Sequence, residues 1–281
     1  VVILDNLSTG QRKYLNPQAQ FIEADITNAD QMKSIMQSVR PQVLNLHAAH
    51  IQVGYSVENP QFDATNNILG LLNIMEAARQ VGGVEKVIMA STGGAMYGNQ
   101  PVPFVETMPA LPLSPYGISK RSGELYLNYY YTLYHIPYIV LRYSNVYGPR
   151  QNPHGESGVI AIFMEKIHQG EVPKINGDGT HTRDYVYVAD VAQANVLALQ
   201  SGEVGEFNIG TGTEYSTNDV FRAVVKEMGV TIPEEHTNAR PGEQVRSSLD
   251  AHKAQQVLGW QPTVDFATGV RLTAEYYKTN H

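Results

Sequence analysis

The 281 residues are enough for one large or two small domains with a substantial buried core. A hydrophobic fraction of 42% and a charged fraction of 17% are ordinary for a globular protein, while a net charge of −7 argues against general affinity for nucleic acid, whose phosphates need a basic surface. The chain has no cysteine, which excludes disulfides and thiolate metal sites and fits a cytoplasmic protein, and no apolar run of ~18 residues that could span a membrane.

The chain opens on VVILDNLSTG, an apolar run from Val1 to Leu4 that ends in Asp5 and a turn-prone stretch to Gly10. A buried parallel strand finishes this way when its last carboxylate faces a ligand. In a dinucleotide-binding fold such an acid lies on the second strand. A first strand and a glycine-rich phosphate loop, about 25 residues in all, are therefore expected ahead of it. FIEADI (21–26) reads as the next strand, and Thr27 or Asn28 caps a helix with apolar Met32, Ile35, Met36 and Val39. VLNLHAA (43–49) is a strand closing on small residues, and Ile68, Leu71, Leu72 and Met75 mark one face of another helix. KVIMAST (86–92) is again a strand, a long helix starts near 115, and PYIVLRYSN (137–145) is a further strand. This alternation predicts an α/β fold, a parallel sheet with helices on both faces. Beyond about 148, turn signals such as GPRQNPHGESG and NGDGTHT interrupt shorter elements, which predicts a smaller C-terminal α+β lobe.

The strongest chemical signal is SPYGISK (114–120). Ser114 suits a helix N-cap and Pro115 the first helical position, so Tyr116 lies in the first turn, with Lys120 four residues on along the same face. A nearby ammonium and the positive end of the helix dipole both favour the phenolate. Moving a phenol from ~10 down by about three units takes roughly 4 kcal/mol, more than a surface ion pair supplies. A partly desolvated pair with bound cofactor charge reaches it, and Tyr116 then serves as a general base near neutral pH. A Tyr and a Lys four apart are common in any chain. The preceding βα rhythm and the alcohol-bearing strand end Ser91-Thr92 single this pair out.

DNLSTG, ADI, HAA, STGGAMYG, SPYGISK, LRYSNVYGPRQ and TRDYVYVAD follow one another in the order found in nucleotide-sugar epimerases of the extended short-chain dehydrogenase/reductase superfamily. The sequence resembles most closely the bacterial UDP-glucose 4-epimerases, and the likeness runs through RPGE and LGWQP to the last helix. It implies a Rossmann-type doubly wound parallel sheet, here lacking its first strand and glycine-rich loop, over residues 1–147. A nucleotide-sugar lobe is implied over 148–281, with 181–200 returning to the first domain. It further implies tightly bound NAD, a UDP-hexose substrate, and epimerisation at C4 through a transient 4-keto sugar. Tyr116 would act as the base and Lys120 as the cation that lowers its pKa and holds the nicotinamide ribose. The family's catalytic hydroxyl position falls on Gly93, so Thr92, with Ser91 as its neighbour, is expected to take that role.

The resemblance implies cofactor contacts from Asp5, Asn6, Ser8, Thr9, Gly10, Asp25, Ile26, Ala48, Ala49, Asn67 and Tyr143, besides Tyr116 and Lys120. The charge of Asp5 would disfavour a 2′-phosphate and so select NAD over NADP. Substrate contacts are implied for Asn145, Val159, Asn176, Arg183, Arg240 and Glu243, the arginines meeting the diphosphate. Two departures stand out. Ile51 replaces a family lysine, and Asn176 replaces an aromatic that stacks on uracil. His47 and His50 are read as wall or core residues, with no metal site. A homodimer is implied through helices near 61–80 and 115–134, the latter carrying LNYYYTLYH. A 4,6-dehydratase would need an Asp-Glu pair where this chain has Gly94 and Ala95. The alternative from another class is a non-catalytic nucleotide-binding protein or an inactive fragment.

Overall fold

The computed structural model describes residues 1–153, 158–239 and 244–280. The chain divides into two compact units, one formed by Val1–Ala90 with Leu113–Val140 and the other by Ser91–Pro112 with the residues from Leu141 onward.

In the first unit β1 (Val2–Asp5) and β2 (Gln20–Glu23) pair in parallel, with Asp5 opposite Glu23. Helix α1 (Ala29–Val39) is capped by Asn28, whose side chain accepts from Gln31 N at 3.0 Å, and it buries Met32 and Met36 of the predicted stripe. Thr27, the other candidate cap, instead gives its N–H and hydroxyl to Asp25. Strand β3 (Val43–Leu46) stops short of the predicted 43–49. Its pairing with its neighbour ends at Leu46, and farther on the N–H and C=O of His50 both bond the Asn67 side chain, which satisfies that loop's backbone without a strand. Helices α2 (Val53–Glu58) and α3 (Pro60–Ala64) lead through a π-helical turn, Thr65–Leu69, into α4 (Gly70–Val81). Strand β4 (Lys86–Thr92) lies parallel to β3, with Leu46 opposite Met89. Helix α5 (Pro115–Tyr134) precedes β5 (Tyr138–Tyr143), the other neighbour of β4. Leu44, Val87, Ile88, Met89, Ile139 and Val140 fill this part of the core.

The architecture is α/β with parallel sheets, as the alternation predicts. One continuous sheet is not what the described residues form, however. The pair β1–β2 stands apart as a two-stranded sheet, and β3 is an edge strand whose one partner is β4. No described strand bridges β1 and β3.

The second unit takes up β5 where Ser144 N donates to Ile209 O at 2.9 Å, at the end of β9 (Gly205–Ile209). Strand β8 (Thr182–Tyr187) is the hub of a second sheet. Strands β6 (Asn145–Tyr147) and β12 (Arg246–Ser247) pair with it in parallel, and β10 (Glu214–Ser216) pairs antiparallel. A small parallel pair joins β7 (Lys174–Asn176) to β11 (Glu235–Thr237). Helices α6 (Val159–His168), α7 (Val188–Gln200), α8 (Thr217–Met228) and α9 (Phe266–Asn280) complete this α+β unit. Its core gathers Tyr147, Phe163, Met164, Phe221, Val224 and Val270.

Asp184 ties this unit together. Fully buried in β8, it accepts from Thr211 N and Oγ1, from Gly212 N and from Leu249 N. One carboxylate thus holds the turn after β9 and the segment after β12 against the strand that carries Arg183.

Candidate active site

The Tyr116–Lys120 pair is built as the local sequence dictates. Ser114 caps α5 by accepting from Gly117 N at 3.2 Å, Pro115 opens the helix, and the four-residue spacing stacks the two side chains. Lys120 Nζ lies 5.9 Å from the centroid of the Tyr116 ring. Lys120 is buried and donates to Ala90 O, at the carboxyl end of β4, at 3.0 Å. Burial pushes its ammonium down to about 8, against the opposing pull of Asp63 and Glu124. The backbone N–H of Tyr116 donates to Ser56 Oγ at 3.2 Å, and the Ser119 hydroxyl donates to Tyr116 O at 2.9 Å. Both ends of the Tyr116 peptide are therefore pinned by side chains.

Around β1 the predicted cofactor residues form a second group. Asp5 stands half-buried at the strand end, its Oδ1 accepting from Leu7 N at 2.6 Å. A Cβ on Gly10 would come within 2.9 Å of Asp5 Oδ2, so only glycine leaves that oxygen its space. Asn6 donates to Asp25, and Thr27 and Asn6 together hold the Asp25 carboxyl below its ordinary range. Ser8 and Thr9 are exposed beside them. Ile26 differs in role: its side chain packs on Gly70 and its carbonyl accepts from Asn73. Ala48 and Ala49 continue from β3 with no bulk beyond a methyl, next to the exposed Ile51. Asn67 is buried and spends its amide on His50, Asp63 and Ser119. A carboxylate acceptor, small residues and an ammonium donor suit the hydroxyls and flat rings of a dinucleotide.

The second unit holds the remaining candidates. Gly93 is buried, and a Cβ there would meet the Leu249 side chain at 2.4 Å, so a hydroxyl-bearing residue would require that side chain to move. Thr92 Oγ1 accepts from Ala95 N at 3.1 Å, while Ser91 is buried. A Cβ placed on Gly94 would have Asn145 Oδ1 and Ser247 Oγ at 3.9 Å and Thr92 Oγ1 at 4.0 Å. Three polar atoms therefore lie at van der Waals distance around that position. Ser247 also sits opposite Arg183 in the β12–β8 register. Arg183 donates to its neighbour Thr182 O. Tyr143 accepts from Asn195 at 2.8 Å, and burial raises its phenol above the ordinary range. Val159 opens α6 and packs on the core, whereas Asn176 is exposed and accepts from the Thr237 hydroxyl at 3.0 Å. Arg240 and Glu243 lie outside the described residues.

Sequence reasoning missed Asp63, Ser56 and Ser247. Asp63 carried a signal, since an acid four residues before Asn67 shares its helical face. Ser56 and Ser247 are joined to the site by contacts distant in sequence, and nothing in their own stretches marks them.

The family described as GDP-mannose 4,6 dehydratase matches residues 2–273. A UDP-glucose 4-epimerase of Mycolicibacterium smegmatis is 44% identical over 285 residues, covering 99% of this chain and 90% of the relative. Among solved structures, a Thermotoga maritima UDP-glucose 4-epimerase with UDP-glucose superposes with a TM-score of 0.96 at 43% identity, covering 99% of this chain and 90% of that one. A Thermus thermophilus UDP-glucose 4-epimerase in complex with NAD gives 0.93 at 42% identity, with coverage of 100% and 91%. The chain is an enzyme of the nucleotide-sugar epimerase and dehydratase family.

Proposed function

We propose that this enzyme inverts the C4 hydroxyl of a UDP-hexose, interconverting UDP-glucose and UDP-galactose, with NAD as its resident cofactor. The observation that carries this is the Tyr116–Lys120 pair, a phenol and a buried ammonium on one face of α5. The relatives that bind NAD and UDP-glucose support it. When bound, NAD supplies a reversible acceptor for the hydride at C4. Asp5 would hold the adenosine ribose, Lys120 the second ribose, and the small Ala48 and Ala49 would leave the dinucleotide room beside the backbone. Tyr116 takes the proton of the 4-hydroxyl and returns it, its phenolate favoured by the Lys120 charge. Thr92 donates to the sugar, and Asn145 and Arg183 bind the diphosphate. The bare Gly94 and Ala95 leave room for the sugar to turn and offer no acid or base for dehydration. Residues 1–147 take the dinucleotide and 148–281 mainly the nucleotide-sugar, in a cytoplasmic setting.

Purified full-length protein mixed with UDP-glucose or UDP-galactose, with no added cofactor, should bring either sugar to the same equilibrium mixture by proton NMR. Absence of conversion in both directions would count against the assignment, and conversion of other nucleotide-sugars alone would reassign the substrate.

The same reading includes a homodimer. Ile118, Leu125, Tyr129 and Leu133 are exposed at helical spacing along α5, and Phe62 and Leu69 are exposed on α3 and the π-helical turn. Sedimentation should give twice the chain mass, and Leu125→Glu with Leu133→Glu should give a folded monomer. A monomeric parent protein would remove this assignment.

A further inference from the structure

We propose that Asp63 is a positioning residue for the Tyr116–Lys120 pair, its buried charge keeping Lys120 an ammonium while its hydrogen bonds lock the turn of α5 that carries both. The proposal rests on the catalytic role assigned to that pair.

Asp63 lies on α3, almost wholly buried. Its Oδ1 accepts from Asn67 Nδ2 at 2.9 Å, and its Oδ2 makes no hydrogen bond among the described residues. A buried carboxylate oxygen without a donor is costly unless a cation compensates it. Besides Asn67, the groups that favour its charged form are the Ser119 hydroxyl, His50 and Lys120, and Lys120 is pulled toward its own charged form by Asp63 in turn. Asn67 extends the connection to Ser119 Oγ at 3.2 Å, and Ser119 reaches Tyr116 O, so the carboxylate is linked to both members of the pair through one amide and one hydroxyl.

Of the other groups around Lys120, Glu124 is the one that adds negative charge, with a smaller pull than that of Asp63. Glu124, on its own helix, is already paired with Arg121 at 2.9 Å. His47, after β3, and His50, in the loop behind it, bring no negative charge. The π-helical turn carries no titratable group, and α2 brings Tyr55 and Glu58, both exposed. Burial pushes the Asp63 carboxyl above its ordinary range and the Lys120 ammonium below its own, which is how two charges behave when each pays for the loss of water and is helped by the other.

The test uses full-length protein labelled at lysine Cε, with Lys120→Arg to assign the resonance. Lys120 should titrate at about 8 in the parent. In Asp63→Asn, which keeps shape and the Oδ1 acceptor, its midpoint should move down by about one pH unit. The alkaline limb of kcat, where activity falls as Lys120 loses its proton, should move with it. A structural role alone would lower thermal stability and leave both midpoints in place, and that result overturns the proposal. If Asp63→Asn does not fold, the parent suffices. The Asp63 carboxyl carbon should shift across the Lys120 titration, and a flat response there is equally contrary. These resonances need no turnover. A chain inactive on every nucleotide-sugar would sink the proposed reaction and leave the coupling measurable, whereas an active enzyme with uncoupled groups would sink the role of Asp63 alone.

Discussion

Tyr116→Phe is expected to lower kcat by about 10²–10⁴-fold, the usual worth of a positioned general base. That corresponds to about 3–5 kcal/mol of barrier. The substitution removes one oxygen and little else. The backbone N–H that bonds Ser56 and the carbonyl that bonds Ser119 remain, and so does the ring beside Lys120. Nucleotide-sugar affinity should therefore change by less than about threefold, because the lost interaction belongs to the transition state. Steady-state kinetics and calorimetric titration on the same preparation check both halves. A variant retaining kcat within about twofold would leave the proton to another group.

Asp184→Ala is expected to be the most damaging single change to the fold. It strips the acceptor from three backbone N–H groups and one hydroxyl in a fully buried position. Buried donors left without partners cost about 1–3 kcal/mol each, and their sum is tempered by relaxation, so about 3–5 kcal/mol is expected. Against a typical total of about 5–15 kcal/mol, this leaves a chain that is poorly soluble or barely folded. Asp184→Asn retains one acceptor oxygen but turns an amide N–H toward donors, so it should fall between the two. Denaturant unfolding orders the three proteins. Parental stability in Asp184→Ala, within about 1 kcal/mol, would show that these loops find other partners.

What could be read from the chain alone followed how local each interaction is. The Tyr116–Lys120 pair was legible because its geometry is set within seven residues by Ser114, Pro115 and a four-residue spacing. The order of strands and helices was legible because period-2 and period-3.6 patterns are also local. Strand ends were less so. Nothing within VLNLHAA announces that β3 ends at Leu46 or that Asn67 will bond the His50 backbone beyond it. The catalytic hydroxyl could be counted to Gly93 from sequence, but Leu249 filling the space above it is a tertiary fact. Ser247 beside Gly94 is another. Asp63 was within reach of helical spacing, although its burial, which gives it meaning, was not. The separate β1–β2 and β3–β4 pairings accord with a sheet expected to lack its first strand, an expectation that rests on the Asp5 strand end and the family resemblance, since alternation alone does not say which edges meet.

If Tyr116 deprotonates a sugar hydroxyl, the carbon that bears it gives up and regains the same hydrogen inside the protein. Full-length enzyme turning over UDP-glucose in deuterated water tests this directly. Proton NMR and mass spectrometry should find UDP-galactose with ordinary hydrogen retained at C4. Deuterium entering C4, or galactose forming with inversion at any other carbon, would contradict it.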